Sequence, residues 1–378
     1  MSKLSALAVV AILSFVEAKH CTHITIPVTL NARNGIFNLP PLTDHIAVTK
    51  FAQDFLRRGQ NYTAAVLQGY TTITDQYNIA ATACRPDHHG ENYDTWQFLT
   101  HGIGFDSGYW DLAFESSKYS YVDVAVDQYG YSTLAIDRLG IGQSSQADPT
   151  NVIQAPAELS AIYEVTKMLR AASLPDLEMS KPSHVIHVGH SFGAILSYEL
   201  AAAHPNITDG LILQGFSVDP SYLPQTIAGF NIQAASNQIL RWFTHTPAGY
   251  FTWSNINANQ FAFLAPPYYD PLVGDFTEHT KQPFTTGELL TLGSQPSSAP
   301  DFTGPVLVLT GNEDAIFCGG DCSNGQGASI PAGVSAVFPK ASAFEAYIQP
   351  NCGHAVNVHY NATGAYDVMN SFLNAHGF

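Results

Sequence analysis

The sequence predicts an α/β fold: a mostly parallel central sheet flanked by helices, with a helical, aromatic-rich segment inserted after the sixth core strand. Three observations carry this. From residue 95 onward, short apolar or β-branched runs alternate with helix-period stretches, as in strands joined by crossover helices. The alternation breaks at about residue 218 and resumes after about 301. Between a strand-like run at 184–188 and a helix-like run at 194–201 stand Gly189, His190, Ser191, Phe192 and Gly193, a GxSxG turn.

Residues 1–18 place Lys3 before an apolar stretch from Leu4 to Val16 and end on the small residue Ala18, the order of a secretory signal peptide. The apolar run is too short to span a bilayer comfortably. Stretches 22–30 and 69–83 are β-branched or alternating and read as strands, with the more helical 48–58 between them. A third strand, 95–100, runs into His101, Gly102, Ile103 and Gly104. Strand 131–136 follows, then helix 157–170 with Leu159, Ile162, Tyr163, Thr166 and Leu169 on one face. Strand 184–188 enters the GxSxG turn, and 210–213 is the sixth strand. Strands 305–310 and 344–348 close the sheet before a C-terminal helix with Met369, Phe372 and Leu373 inward.

The expected organisation is a signal peptide at 1–18, a core of 19–217 and 302–378, and a cap at 218–301. That segment holds Trp242, Phe243, Tyr250, Phe251, Trp253, Phe261, Phe263, Tyr268 and Tyr269 with few charges. Set on the carboxyl side of the sheet, it would cover the place where open α/β folds bind ligands, although most of its aromatics are expected to pack on one another.

A chain of 378 residues with 46% hydrophobic content can bury a substantial core. With 15 Lys and Arg against 31 Asp and Glu, its net charge of -16 repels phosphate backbones, so no nucleic-acid partner is expected. No later segment reads as a membrane helix, and the mature chain is expected to be secreted and extracellular. Sequons at Asn61, Asn206 and Asn361 agree with that compartment. Of five cysteines, Cys318 and Cys322 are placed for a local bridge with glycines to let the loop turn, and Cys21 is paired with Cys84; Cys352 is left over. The CxxxC spacing has no CxxC or HExxH companion, so a disulfide is expected there and no metal or other cofactor.

A serine hydroxyl is a weak nucleophile at neutral pH and needs a base, which in turn needs an acid to fix its tautomer. Strand 305–310 is followed by Gly311, Asn312, Glu313 and Asp314. Strand 344–348 is followed by Pro350, Asn351, Cys352, Gly353 and His354. Serine, carboxylate and imidazole thus occur in the chain order that goes with a GxSxG elbow. His184, His187 and His190 alternate faces of one strand and cannot converge on a metal. His101 is expected to hydrogen-bond within its turn, Asp137 and Arg138 to order their loop, and His359 to be a surface or loop histidine.

On four motifs, HGIG from His101, DRLGIGQS from Asp137 to Ser144, GHSFG from Gly189, and the GxxD and GH loops ending at Asp314 and His354, the chain resembles the α/β-hydrolase superfamily. It is similar to secreted fungal serine hydrolases of the AB hydrolase-1 type with a cap, from about Trp96 to the end. The resemblance implies Ser191 as nucleophile, His354 as general base and then acid, and Asp314 as the orienting carboxylate. Glu313 and Asp321 do not fit the GxxD spacing, and Asp219 occupies a position some relatives use instead. The amides of Phe192 and Ile103, or Gly104 in place of Ile103, would form the oxyanion hole. A serine at 191 argues against dehalogenase or epoxide-hydrolase chemistry, which attacks through a carboxylate. The implied activity is cofactor-independent cleavage of a carboxylic ester or lactone of a small, largely apolar molecule through an acyl-enzyme. The alternatives are amide, carbon–carbon or perhydrolase chemistry on the same triad, or a ligand-binding relative with little turnover.

Overall fold

Eight strands make the central sheet: β1 (His20–Thr29), β2 (Gln76–Arg85), β3 (Thr95–Thr100), β4 (Ser132–Ile136), β5 (His184–His190), β6 (Gly210–Gln214), β7 (Val306–Gly311) and β8 (Phe344–Gln349). The structure, a computed structural model, describes residues 19–240, 243–324 and 329–378; the signal stretch 1–18 and Trp242 lie outside the described residues. The spatial order is β1-β2-β4-β3-β5-β6-β7-β8. β1 with β2 and β2 with β4 are antiparallel, and every pairing from β4 to β8 is parallel.

Burial explains the sequence texture of these strands. β3, β4, β6 and β7 are buried at every position, so their runs are continuous rather than alternating. β1 buries Ile24, Ile26 and Val28 and exposes the residues between, the alternation of a half-covered strand. Cys21 and Cys84 stand directly opposite each other in β1 and β2 and are joined by a disulfide, as are Cys318 and Cys322 after β7. Cys352 is free and buried.

Three helices flank the sheet: α1 (Ala155–Arg170), α2 (Phe192–Ala203) and α3 (Ala362–Ala375). Gln97 of β3 donates to Asn370 of α3 at 2.9 Å. The next residue, Phe98, stacks on His187, whose Nε2 meets Thr166 of α1 at 3.0 Å. Neighbouring residues of a strand point to opposite faces, so α1 and α3 cover opposite sides. Residues 192–201 of α2 are all buried, which suits a helix apolar on every side. Met369, Phe372 and Leu373 of α3 are buried as expected. The inward stripe of α1 runs through Glu158, Ile162, Val165 and Leu169, while Leu159 and Tyr163 are half-buried; the helix turns Glu158 inward to meet Arg138.

The strand read at 69–83 is two strands. Leu67–Ile73 pairs with Ala32–Phe37 in a separate two-stranded sheet, and β2 begins after a turn whose Asp75 carbonyl accepts from Leu30 at 3.0 Å. Between β6 and β7 the chain forms helices Leu223–Phe230, Ile256–Phe263, Pro271–Thr280 and Thr286–Thr291, and a three-stranded sheet of its own. Its aromatics pack together, with Trp253 5.0 Å and Phe230 5.6 Å from Phe263, and Phe105 of the core joins them at 5.0 Å. Asn61 and Asn206 are exposed, whereas Asn361 is half-buried and donates to the Pro350 carbonyl. Among the described residues no helix is long and apolar enough to cross a membrane.

Candidate active site

Ser191 sits where β5 turns into α2, with φ 55° and ψ -119°, in a region a residue with a side chain adopts only under constraint. The constraint comes from both neighbours. Its N–H donates to the Gln214 carbonyl of β6 at 2.9 Å, and its own carbonyl accepts from Ala194 and Ile195 at 2.8 and 3.0 Å. A side chain at Gly189 would meet the Gly193 carbonyl oxygen at 2.3 Å, and one at Gly193 would meet that of Thr100 at 2.2 Å, so the turn closes only with glycine at both positions.

Phe192 is the first residue of α2, where N–H groups have no partner inside the helix and the helix dipole is positive. The His101-Gly102 turn lies against the serine, since a Cβ at Gly102 would stand 2.8 Å from that of Ser191. His101 accepts from the Arg138 N–H at Nε2, 3.0 Å, so its proton is on Nδ1, 2.9 Å from the Gly102 carbonyl within the turn. Burial, with Arg138 nearby, holds this imidazole neutral, well below the usual histidine range. Ile103 and Ser191 line the same cavity. Gly104 faces the inserted segment: a Cβ there would meet Trp253 at 2.0 Å, and its carbonyl accepts from Gln282 at 2.9 Å.

Asp314 follows β7 and caps the helical turn Ala315–Cys318. One of its oxygens accepts from the N–H groups of Ile316 and Phe317, each at 2.8 Å. The other lies 2.7 Å from Nδ1 of His354, and both side chains are fully buried. Glu313, Asp321 and Asp219 do not reach the imidazole; Asp219 caps Ser221 and Asp321 bonds Ser323. His354 therefore has one nitrogen committed to Asp314, and its Nε2 has no hydrogen-bond partner. No hydrogen bond joins it to Ser191. The two are neighbours through His190, whose ring is 4.8 Å from that of His354 and whose Nε2 is 3.3 Å from the His354 carbonyl.

His184, His187 and His190 diverge, towards Phe378, Phe98 and Tyr109. Burial lowers His187 to about 3 and, with His354 close by, holds His190 well down too. Among the described residues no group of three or more His, Cys, Asp or Glu is placed to hold a metal ion. His359 lies in a loop, as one half of its expectation has it, but not at the surface: it is fully buried, because its ring is the hydrogen-bond partner of three backbone groups, and burial pushes it down to about 4. Cys352 packs inside the histidine loop, where burial raises the thiol well above its ordinary value.

Asp137 and Arg138 order their loop and reach beyond it. Asp137 accepts from Ser107 and Gln143 at 2.9 and 2.8 Å. Arg138, fully buried, bridges Glu158 of α1 and Glu288 of the inserted segment, with its guanidinium 4.8 Å over the Phe192 ring. Burial, against the pull of Arg138, keeps Glu158 well above the usual carboxylate range. Glu288 carries the local signature of a helix capping box with Thr285, but nothing nearby marks it as a partner of Arg138.

A cavity of about 430 Å³ opens from Ser191 between α2 and the inserted segment. Phe192 and Ile195 form one wall, Leu223, Ile227 and Phe230 the facing one, and Phe317 lies beside the Asp314 turn; Asp219 is the one carboxylate in the lining.

The family model described as "Alpha/beta hydrolase family" matches residues 98–364, well over half of the chain. No curated protein matches it. Among solved structures, a thermophilic esterase from Thermogutta terrifontis superposes with a TM-score of 0.54 at 14% identity, covering 80% of this chain and 95% of that one. An alpha/beta hydrolase fold protein from Chitinophaga pinensis gives 0.51 at 14%, covering 79% and 94%. A monoacylglycerol lipase from Paleococcus ferrophilus gives 0.50 at 14%, covering 80% and 99%. At such identities the likeness is one of fold.

Proposed function

The chain belongs to the α/β hydrolase family, and from that premise we propose a secreted serine hydrolase that cleaves a carboxylic ester or lactone with an apolar portion. The observation that carries the reading is the buried Asp314–His354 pair, 2.7 Å apart with Nε2 uncommitted, beside a serine on a constrained strand-to-helix turn. In this reading the Ser191 hydroxyl closes onto Nε2, passes its proton there and attacks the carbonyl carbon. Asp314 stabilises the imidazolium, and the amides of Phe192 and Ile103 receive the oxyanion, where one such donor contributes about 3 kcal/mol. His354 then protonates the leaving alcohol and activates a water that hydrolyses the acyl-enzyme. Segment 218–301 serves as a cap, and its apolar wall favours a hydrophobic acyl or alcohol group over a charged one. The esterase and the lipase that share the fold support an ester bond. The two disulfides fit an oxidising compartment.

A fluorophosphonate should label wild-type protein at Ser191, and Ser191→Ala should lose both the label and p-nitrophenyl ester turnover. Turnover unchanged in that variant sinks the proposal. A second reading, a ligand-binding relative with little turnover, draws on one observation, the missing bond between Ser191 and His354. Saturable ester binding by folded wild-type protein that neither turns over nor reacts with the phosphonate would select it.

A further inference from the structure

His359 accepts two backbone N–H groups on one nitrogen, Nε2: that of Gly353, beside His354, and that of Ala265 in the inserted segment, each at 3.0 Å. A nitrogen that accepts carries no proton, so the ring is the Nδ1–H tautomer, and Nδ1 lies 2.9 Å from the Ala355 carbonyl. The other flank of His354 is tied to the same segment, because the Ala355 N–H donates to the Phe263 carbonyl at 2.9 Å. Beyond the ring, Tyr360 donates to Tyr268 at 3.0 Å. The contact is close throughout, since a Cβ at Gly353 would stand 2.8 Å from the backbone of Phe263 and Leu264.

We propose that His359 is a positioning residue that fastens the His354 loop to the inserted segment at residues 263–268 and so sets where Nε2 stands relative to Ser191. The role in catalysis rests on the serine-hydrolase reading. The physical reason is that a loop backbone normally satisfies its N–H groups with water, whereas here two buried donors from segments far apart in the chain share one acceptor. Without that acceptor both donors are left unpaired, and relaxation of either moves the imidazole. A displacement near 1 Å in a catalytic group costs roughly 100-fold in rate. The inserted segment is accordingly fixed at this end.

The test compares wild type, His359→Leu and His359→Gln as full mature chains. Leucine removes the acceptor; glutamine offers an oxygen near the place of Nε2. His359→Leu should lower kcat for p-nitrophenyl butyrate roughly 10- to 100-fold with little change in KM, and slow phosphonate labelling in parallel. His359→Gln should recover most of that loss. A folded His359→Leu with wild-type kcat, or a glutamine variant as impaired as the leucine one, overturns the proposal. Two NMR readouts need no turnover, and the first needs no variant. In wild type, ¹⁵N shifts should show His359 as the Nδ1–H tautomer, and an Nε2–H tautomer overturns the proposal. The downfield Nδ1 proton between His354 and Asp314 should shift in His359→Leu and return towards its wild-type position in His359→Gln, and a signal unmoved in folded His359→Leu overturns the proposal as well. If wild type neither hydrolyses esters nor takes the label, the serine-hydrolase reading falls, while these signals still report whether His359 sets the position of His354.

Discussion

Replacing Asp314 with asparagine exchanges one oxygen for an NH₂ group and leaves the shape of the side chain almost unaltered, yet the structure dictates which way the new amide must point. One carboxylate oxygen accepts from Ile316 and Phe317, each at 2.8 Å, and the other receives Nδ1 of His354 at 2.7 Å. An NH₂ group turned towards Ile316 and Phe317 would face two donors with a third, so the amide oxygen takes that side and the NH₂ faces the imidazole. Nδ1 must then become an acceptor, and the neutral ring carries its proton on Nε2. That nitrogen is the one required as base. An aspartate-to-asparagine change with this consequence costs about 10⁴ in rate in a Ser-His-Asp triad, which is about 5 kcal/mol of barrier. The assay is kcat/KM for a p-nitrophenyl ester with wild type, Asp314→Asn and Ser191→Ala side by side, with circular dichroism to verify the fold. The two bonds to the Asp314 turn survive in the variant, so its melting temperature should change little. A folded Asp314→Asn within tenfold of wild type refutes the reasoning.

Glu199 on α2 is buried with one oxygen unpaired, and burial raises its pKa from 4.5 to about 7. The unfolded chain releases this proton near pH 4.5 and the folded one near 7. The folded state holds more protons in that window, so this group destabilises the fold progressively as pH rises, by about 3 kcal/mol in all. Urea unfolding of Glu199→Gln should therefore show an advantage over wild type that grows from pH 4.5 to 7, and parallel curves would contradict it. Arg138→Met leaves Glu158 and Glu288 buried without their shared cation, and a loss of about 3 to 5 kcal/mol is expected in guanidinium unfolding at neutral pH; no measurable loss counts against the bridge as a structural tie. The Cys21–Cys84 bridge closes a loop with a sequence separation of 63, so the double serine variant should lose about 4 kcal/mol by the chain-entropy argument, and an unchanged unfolding midpoint contradicts that.

The core strands were legible because they are buried on both sides. The stretch expected at 95–100 coincides with β3, and those at 210–213 and 305–310 differ from β6 and β7 by single residues at their ends. A strand that must be apolar at every position announces itself without reference to its partners. The same holds for the turn around Ser191, where two glycines and the residues on either side are local facts. The edge was less legible. Nothing within 69–83 marks where Leu67–Ile73 ends, because that strand is defined by pairing with Ala32–Phe37, a contact between segments far apart in the chain. The burial of His359 is not legible for the same reason: its partners are backbone groups of Ala265, Gly353 and Ala355, and a lone histidine in a loop carries no mark of them.

From residue order alone came the alternation of strands and helices and the chain order of serine, carboxylate and imidazole, because each is written in a pattern a few residues long and short-range sterics and periodicity suffice to decode it. Only the tertiary structure decided that Arg138 joins Glu158 to Glu288, and that the segment between β6 and β7 is tied to the histidine loop through His359. These are choices among chemically similar candidates, settled by which side chains the folded backbone brings within about 3 Å of one another, where hydrogen bonds form.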